Sequence, residues 1–130
     1  MTHSIAPALE PAQRPVSRPL NIAAWGLQAL LALAFLAAGG SKLAGAQPMV
    51  ESFAKIGIGQ WFRVLTGLLE VVGAVALLVP RAAFLGSLVL GCVMVGAVVA
   101  HLTVLGGTPV PPAVLLALTG VVAYVRRPGA

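Results

Sequence analysis

Long apolar stretches, separated by short polar connections, constrain this chain more than any other feature. Four of them cover residues 21–43, 62–79, 82–105 and 110–125. Charged residues make up 8% of the sequence, against about 25% in soluble domains. A helix of about 20 apolar residues crosses a hydrocarbon core of about 30 Å. The sequence therefore predicts an all-α integral membrane protein, a four-helix bundle in the lipid bilayer.

The connections between these stretches are too short to form a second domain. Because backbone groups in lipid must bond within their own segment, and no alternating strands of a barrel occur, the stretches are predicted to be helices. We therefore expect one domain over residues 21–127. Residues 1–20 carry four prolines at four-residue spacing and two arginines, which predicts a disordered, basic tail.

An alternative interpretation of the first apolar stretch is a secretory signal peptide. Arg14 and Arg18 precede it, and residues 44–46 fit an A-x-A cleavage site. However, the stretch is longer than the usual apolar region of about 7 to 15 residues, and Lys42 lies before the proposed cleavage site. These features favour a helix that is retained.

A short amphipathic segment connects the first two predicted spans. After Pro48, Met49, Phe53 and Ile56 fall on one helical face. Gly57 and Gly59 follow, and then the aromatic pair at residues 61–62 that is typical of a membrane interface. The pattern predicts a short interfacial helix between helices 1 and 2.

The distribution of basic residues predicts the orientation. With four spans, five arginines lie on the side of both termini, and Lys42, Lys55 and Arg63 lie on the other. Because cytoplasmic loops carry the excess of Lys and Arg, both termini are expected in the cytoplasm. The five arginines are Arg14, Arg18, Arg81, Arg126 and Arg127.

Composition also excludes several kinds of site. The net charge of +5 comes from residues scattered at the ends of apolar stretches, so no nucleic-acid binding is predicted. Cys92 is the single cysteine, which excludes a dithiol pair, and we interpret it as a packing residue. His101 is the single histidine outside the tail, which excludes a bis-histidine haem. No metal site or other cofactor site is evident.

Polar residues inside the predicted spans mark the candidate site. A charge in the hydrocarbon region costs at least about 2.5 to 3.5 kcal/mol, so Glu70 requires a partner or a role. Lys42 ends the first span, Arg63 begins the second, and His101 lies near the end of the third, all toward the outer side. Lys42, Arg63, Glu70 and His101 are therefore the candidate residues of a polar pocket.

Three interpretations of Glu70 stay open. It lies in a pocket where it exchanges protons or binds a polar group beside His101. Alternatively it forms a buried ion pair with Lys42 or Arg63 that holds the helices in register, or it is protonated and isolated. For Lys42 alone, extension of the side chain to the interface is a further alternative.

Glycines recur along the second, third and fourth spans. At a contact between helices they permit close backbone approach, whereas on a lipid-facing surface they carry no such role. The sequence leaves both explanations open for Gly67, Gly73, Gly86, Gly91, Gly96 and Gly120.

Three motifs in order give the chain a family resemblance. They are Gly39–Leu43 at the end of helix 1, Gly67–Gly73 in helix 2 and Ala100–Leu102 in helix 3. In these motifs, over about residues 23–126, the chain resembles the DoxX family of small bacterial four-helix membrane proteins. The resemblance implies a bacterial cytoplasmic (inner) membrane, a link to quinone oxidoreductase or oxidative-stress systems, and positions for Lys42, Glu70 and His101 similar to the family's recurring polar residues.

The resemblance and the pocket lead to three hypotheses of function. The first is an accessory subunit of a redox or oxidative-stress pathway that binds a quinone-like or amphipathic molecule near Glu70 and His101. With one cysteine, redox chemistry would require membrane redox partner subunits. The second is a membrane enzyme, an isomerase or cyclase, with Glu70 as acid or base. The third is a structural subunit, and a homo-oligomer is compatible with each.

Overall fold

The computed structural model describes residues 16–129 and confirms the predicted all-helical fold, with no strand in that range. Its elements are α1 (Arg18–Ala44), α2 (Gln47–Ile56), α3 (Gln60–Leu77), α4 (Ala83–Ala100), a π-helical turn (His101–Leu105) that continues α4, and α5 (Val110–Arg126).

The start of α1 lies three residues before the predicted start. Ser17 caps the helix, since its side chain accepts a hydrogen bond from the Leu20 amide, and Pro19 lies in the first turn, where a missing N–H costs nothing. The rest of the predicted tail, residues 1–15, lies outside the described part of the chain.

Three helices are long and apolar enough to cross a membrane: Arg18–Ala44, Gln60–Leu77 and Ala83–Leu105, the last including the π turn. The fourth predicted span, α5, is a shorter apolar helix of 17 residues. At about 1.5 Å per residue its length is about 26 Å, less than the full hydrocarbon core. The described residues thus contain three candidate spans and one shorter apolar helix.

The predicted helix between the first two spans is present as α2. It ends at Gly57, whose φ of 81° is the left-handed conformation that glycine adopts without strain. Phe53 is its buried residue and packs edge-to-face on Phe62 of α3, with ring centroids 5.8 Å apart. This contact fixes α2 across the first turn of α3.

The core forms where α1, α3, α4 and α5 meet. α3 packs on α1 and α4, and α5 packs on α4 and α1. Large apolar side chains on the outer faces of these helices stay exposed, as expected for surfaces that contact lipid. The buried cluster consists of Leu31, Ala32, Phe35, Ala74, Leu77, Leu90, Met94 and Val122.

Glycines set two close helix crossings. A Cβ at Gly39 of α1 would lie 2.8 Å from the Gly67 carbonyl oxygen of α3, so the two backbones are in direct contact. A Cβ at Gly86 of α4 would likewise lie 2.9 Å from the Gly73 carbonyl oxygen. By contrast, nothing lies within 4 Å of a Cβ at Gly96 or Gly120. Gly67, Gly73 and Gly86 therefore lie at close contacts between helices, whereas Gly96 and Gly120 lie on open surfaces.

Candidate functional site

A cavity of about 960 Å³ lies between α3 and α4, with α2 across one end. Its geometry follows from the Gly73–Gly86 crossing, which holds α3 and α4 together near the turn that joins them. Beyond that crossing, the cavity lies between residues 62–70 of α3 and residues 88–105 of α4 and the π turn. Most of its lining is apolar, and Met49, Phe53 and Ile56 of α2 complete it.

The charged part of the cavity wall is an ion pair between Lys42 and Glu70. Lys42 Nζ lies 2.7 Å from Glu70 Oε1, although the contact lacks the alignment of a hydrogen bond. The Glu70 side chain is 1% exposed and that of Lys42 is 14% exposed. Each residue packs against a glycine of the other helix: a Cβ at Gly39 would lie 3.0 Å from Glu70 Cβ, and a Cβ at Gly67 would lie 3.0 Å from Lys42 Cβ. The close approach of the two backbones therefore lets the two side chains meet.

Arg63 does not join this pair. Its guanidinium donates to the Lys42 carbonyl oxygen and, at 2.7 Å, to Gln60 Oε1. Gln60 in turn donates to the Val50 carbonyl oxygen of α2 at 3.1 Å. Arg63 does not line the cavity; its bonds connect the end of α1 to the start of α3, and the bond of Gln60 extends this network to α2. The structure thus brings Lys42, Glu70 and His101 to the cavity and leaves Arg63 outside its lining.

His101 lines the cavity at the first residue of the π turn. Its Nδ1 lies 2.8 Å from the Ala97 carbonyl oxygen. A carbonyl oxygen only accepts hydrogen bonds, so Nδ1 carries the proton and a neutral ring presents a lone pair at Nε2. No hydrogen bond or ion pair joins His101 to Lys42 or Glu70 in the described residues.

The other polar side chains of the lining are hydroxyls and a thiol. The hydroxyls donate to backbone carbonyls one turn earlier in their own helices: Ser52 to Pro48, Thr66 to Phe62 and Thr103 to Val99. Cys92 is exposed and also lines the cavity. Their donors are therefore already used, apart from the weak S–H.

A second polar cluster, which the sequence did not predict, lies at the opposite end of the helices. Gln28 is fully buried and donates to the Leu77 carbonyl oxygen at 2.6 Å, satisfying a backbone group at the end of α3. Arg126 donates to Gln28 Oε1 at 2.8 Å and to Asn21 Oδ1 at 2.7 Å. It also lies over the Trp25 ring, 5.1 Å from its centroid. This cluster joins the end of α5 to the first turns of α1.

No group of three or more His, Cys, Asp or Glu side chains that could hold a metal ion occurs among residues 16–129. The polar groups around the cavity in that range are one ion pair, one imidazole, three hydroxyls and the Cys92 thiol.

The family follows from a comparison of the whole chain with family profiles. The profile of the DoxX-like family matches residues 26–123 of the 130. The chain belongs to the DoxX-like family. The matched segment of this DoxX-like membrane protein contains all of α2, α3 and α4, and with them Lys42, Glu70 and His101, whereas Arg126 lies beyond it. No curated protein and no solved structure matches the chain.

Proposed function

We propose that this DoxX-like protein binds a lipophilic small molecule from the bilayer in the cavity between α3 and α4. The observation that carries the proposal is the cavity itself: about 960 Å³, largely apolar, with a buried ion pair and a histidine on its wall. Ligand sites of about 300–1,000 Å³ commonly combine an apolar lining with a few polar groups that orient the ligand.

The exposure of the cavity rim supports entry from the lipid phase. Leu69 of α3 is 39% exposed, and Leu88 and Val99 of α4 are 43% and 52% exposed, yet all three line the cavity. In a bilayer these side chains would contact lipid. An amphipathic molecule then reaches the cavity by lateral diffusion, with its apolar part along α4 and its polar part toward Glu70 and His101.

Within this proposal the protein is an accessory subunit of a redox or oxidative-stress pathway, and a quinone-like molecule, which carries hydroxyl groups in its reduced quinol form, is one candidate ligand. Family membership supports this role, and the single cysteine means that electron transfer would belong to partner subunits. The site residues proposed are Lys42, Glu70 and His101, with Arg63 as a residue that positions Lys42.

A second candidate function, a membrane isomerase or cyclase, is favoured by one contact. Glu70 lies on the wall of an apolar cavity, where its carboxyl group would act as acid or base on a substrate, and Lys42 Nζ lies 2.7 Å from its Oε1 as counter-ion. Turnover of a lipid-like substrate by the purified protein, abolished in Glu70→Gln, would distinguish an enzyme from a binding subunit.

We also propose that α5 is a fourth span, that one domain covers residues 21–127, and that both termini face the cytoplasm of a bacterial inner membrane. The hydrogen bonds of Arg126 to α1 support an antiparallel position of α5 beside α1. Arg18, Arg81, Arg126 and Arg127 then lie at one end of the helices, as the distribution of basic residues at cytoplasmic ends requires.

Two matched glycine substitutions test the binding site. Gly96 of α4 and Gly120 of α5 are both exposed helical glycines with open space around them, but of the two only Gly96 lines the cavity. We expect Gly96→Phe to place an aromatic ring in the cavity and obstruct the ligand, and Gly120→Phe to leave the cavity unchanged. Native mass spectrometry of protein extracted in mild detergent would then detect a retained small molecule in the wild type and in Gly120→Phe, and its loss in Gly96→Phe.

Retention of the same molecule by all three proteins, or by none, would count against the proposal. Equal thermal stability of the two variants serves as the control that both are folded.

A further inference from the structure

We infer that the ligand of this cavity is an uncharged amphiphile whose polar end is a hydroxyl group that donates a hydrogen bond to His101 Nε2. This inference rests on the proposed function and specifies its ligand class. It combines the charge balance of the cavity wall with the orientation of one imidazole.

The charge balance disfavours a charged ligand. Lys42 and Glu70 are the cation and the anion of the lining, and they lie 2.7 Å apart. A carboxylate or phosphate would compete with Glu70 for Lys42 and leave a side chain that is 1% exposed without its counter-ion. An amine would compete with Lys42 for Glu70 and leave the Lys42 ammonium without its counter-ion. Loss of one partner from a buried ion pair is strongly unfavourable, so a neutral ligand is preferred.

Two other basic side chains, those of Arg63 and Lys55, do not change this balance of charge in the cavity wall. Arg63 is bonded to the Lys42 carbonyl oxygen and to Gln60, and it does not line the cavity. Lys55 lies on the exposed face of α2 and is also absent from the lining. An acidic headgroup would therefore find no uncommitted basic side chain in the wall that the structure describes.

The hydrogen-bonding balance favours a ligand that donates. The hydroxyl donors of Ser52, Thr66 and Thr103 are used within their own helices. His101 donates from Nδ1 to Ala97, and its Nε2 has no hydrogen-bond partner in the described residues. The remaining strong donor group of the wall, the Lys42 ammonium, is paired with Glu70 at 2.7 Å, whereas His101 Nε2 is an acceptor without a partner. A hydroxyl donates to this acceptor without adding charge.

Alkylation of Cys92 provides the measurement, because this single cysteine is exposed and lines the cavity. The rate of its reaction with N-ethylmaleimide would be followed in the purified full chain with added tetradecanol, tetradecanoate or tetradecylamine. These probes share one chain length and differ in headgroup. We expect tetradecanol to protect Cys92 at the lowest concentration, and the thermal stability of the same samples to rise in the same order.

A second comparison isolates the hydrogen bond to His101. Tetradecyl methyl ether has the same chain as the alcohol but no donor. We expect the wild type to prefer the alcohol by roughly two- to tenfold, the effect of one hydrogen bond. In His101→Phe, which keeps a ring but lacks the lone pair, the preference should disappear while both probes still bind.

The outcomes separate this inference from the proposed function. Stronger protection by tetradecanoate or tetradecylamine, or an alcohol preference that survives in His101→Phe, would overturn the ligand class and leave the cavity as a binding site. If none of the four probes protects Cys92 or raises the thermal stability, both the inference and the proposed function fail.

Discussion

Among single residues, Lys42 and Glu70 form an ion pair in which the Glu70 side chain is almost fully buried. Replacement of Lys42 by Met would leave the Glu70 charge buried without a counter-ion. We expect a loss of about 3–5 kcal/mol in the free energy of unfolding, the usual cost of removing one partner from a buried pair. Unfolding in mixed micelles of mild detergent and sodium dodecyl sulfate would measure it.

The double variant Lys42→Met, Glu70→Gln provides the control for that experiment. Because it removes both charges, we expect it to be more stable than Lys42→Met alone. If the double variant is as unstable as the sum of its single variants, the two side chains are not coupled in the way that the 2.7 Å contact indicates.

Close backbone approach at Gly39 leads to a second residue-scale prediction. In Gly39→Ala the new Cβ would lie 2.8 Å from the Gly67 carbonyl oxygen and 2.9 Å from Val71 Cγ2, so α1 and α3 must separate. We expect a destabilisation of about 1–3 kcal/mol, typical of an overpacked contact.

The neighbouring substitution Gly40→Ala is the matched control, since nothing lies within 4 Å of a Cβ at that position. We expect Gly39→Ala to melt at a clearly lower temperature than Gly40→Ala in the same detergent. Equal melting temperatures would contradict the close crossing of α1 and α3.

Residue spacing predicted part of the candidate site. The common depth of Lys42, Glu70 and His101 followed from their distances from the outer ends of the helices, and all three line the cavity. Arg63 shares a helix face with Glu70 at a seven-residue spacing, but its guanidinium bonds to the Lys42 carbonyl oxygen and does not line the cavity. Spacing along one helix gives a depth and a face. It does not give the partner of a long, flexible side chain.

Among the contacts between helices, those of Arg126 connect α5 to α1. Its guanidinium bonds to Asn21 and Gln28 of α1, and it lies over Trp25. In Arg126→Ala we expect a loss of about 1.5–3 kcal/mol in the free energy of unfolding, the range for hydrogen bonds to a charged group. Hydrogen exchange of the α5 amides should accelerate as the end of the helix loosens.

Arg127 offers the control for Arg126. Its hydrogen bond goes to the Tyr124 carbonyl oxygen and its ring contact is with Tyr124, so it does not connect α5 to α1. We expect Arg127→Ala to leave both the stability and the exchange of α5 close to those of the wild type. Similar effects of the two substitutions would show that the contacts of Arg126 with α1 do not stabilise α5.

Helix boundaries were largely predictable, because glycines, prolines and charged residues interrupt the apolar stretches at each end. The contacts of Arg126 could not be predicted, because Gln28 and Arg126 are 98 residues apart in the sequence. An arginine at a helix end is also explained by the orientation of the helix in the membrane. A glutamine inside an apolar helix was the one available signal. The π turn at His101 also has no signature in the apolar pattern.

For the whole molecule, the proposed arrangement of four spans predicts which loops lie on each side of the membrane. In a Cys92→Ala background, a cysteine in place of Arg81 lies in the α3–α4 turn, and one in place of Thr108 lies in the loop before α5. We expect a membrane-impermeant maleimide added outside intact cells to label the second and not the first. Labelling of the Arg81 position from outside would contradict the proposed orientation.

The cavity is a property of the whole molecule, which is why the sequence indicated polar residues but not a large apolar space. α3 and α4 are in close contact near their connecting turn, where Gly86 approaches the Gly73 carbonyl oxygen, and the cavity lies between their other halves. Neither the crossing point nor the position of α2 across the far end is encoded in hydropathy alone. Both depend on contacts between side chains of different helices.

Photolabelling in a bilayer reports directly on ligand binding in this cavity. The full chain in lipid nanodiscs would be irradiated with an alkyl alcohol that carries a diazirine, and the labelled residues mapped by mass spectrometry. We predict saturable labelling at Val93, Ala97 and Ala100, which line the cavity, and its suppression by excess tetradecanol. Labelling that is spread evenly over exposed residues such as Leu30, Leu33 and Val121, and that tetradecanol does not suppress, would contradict it.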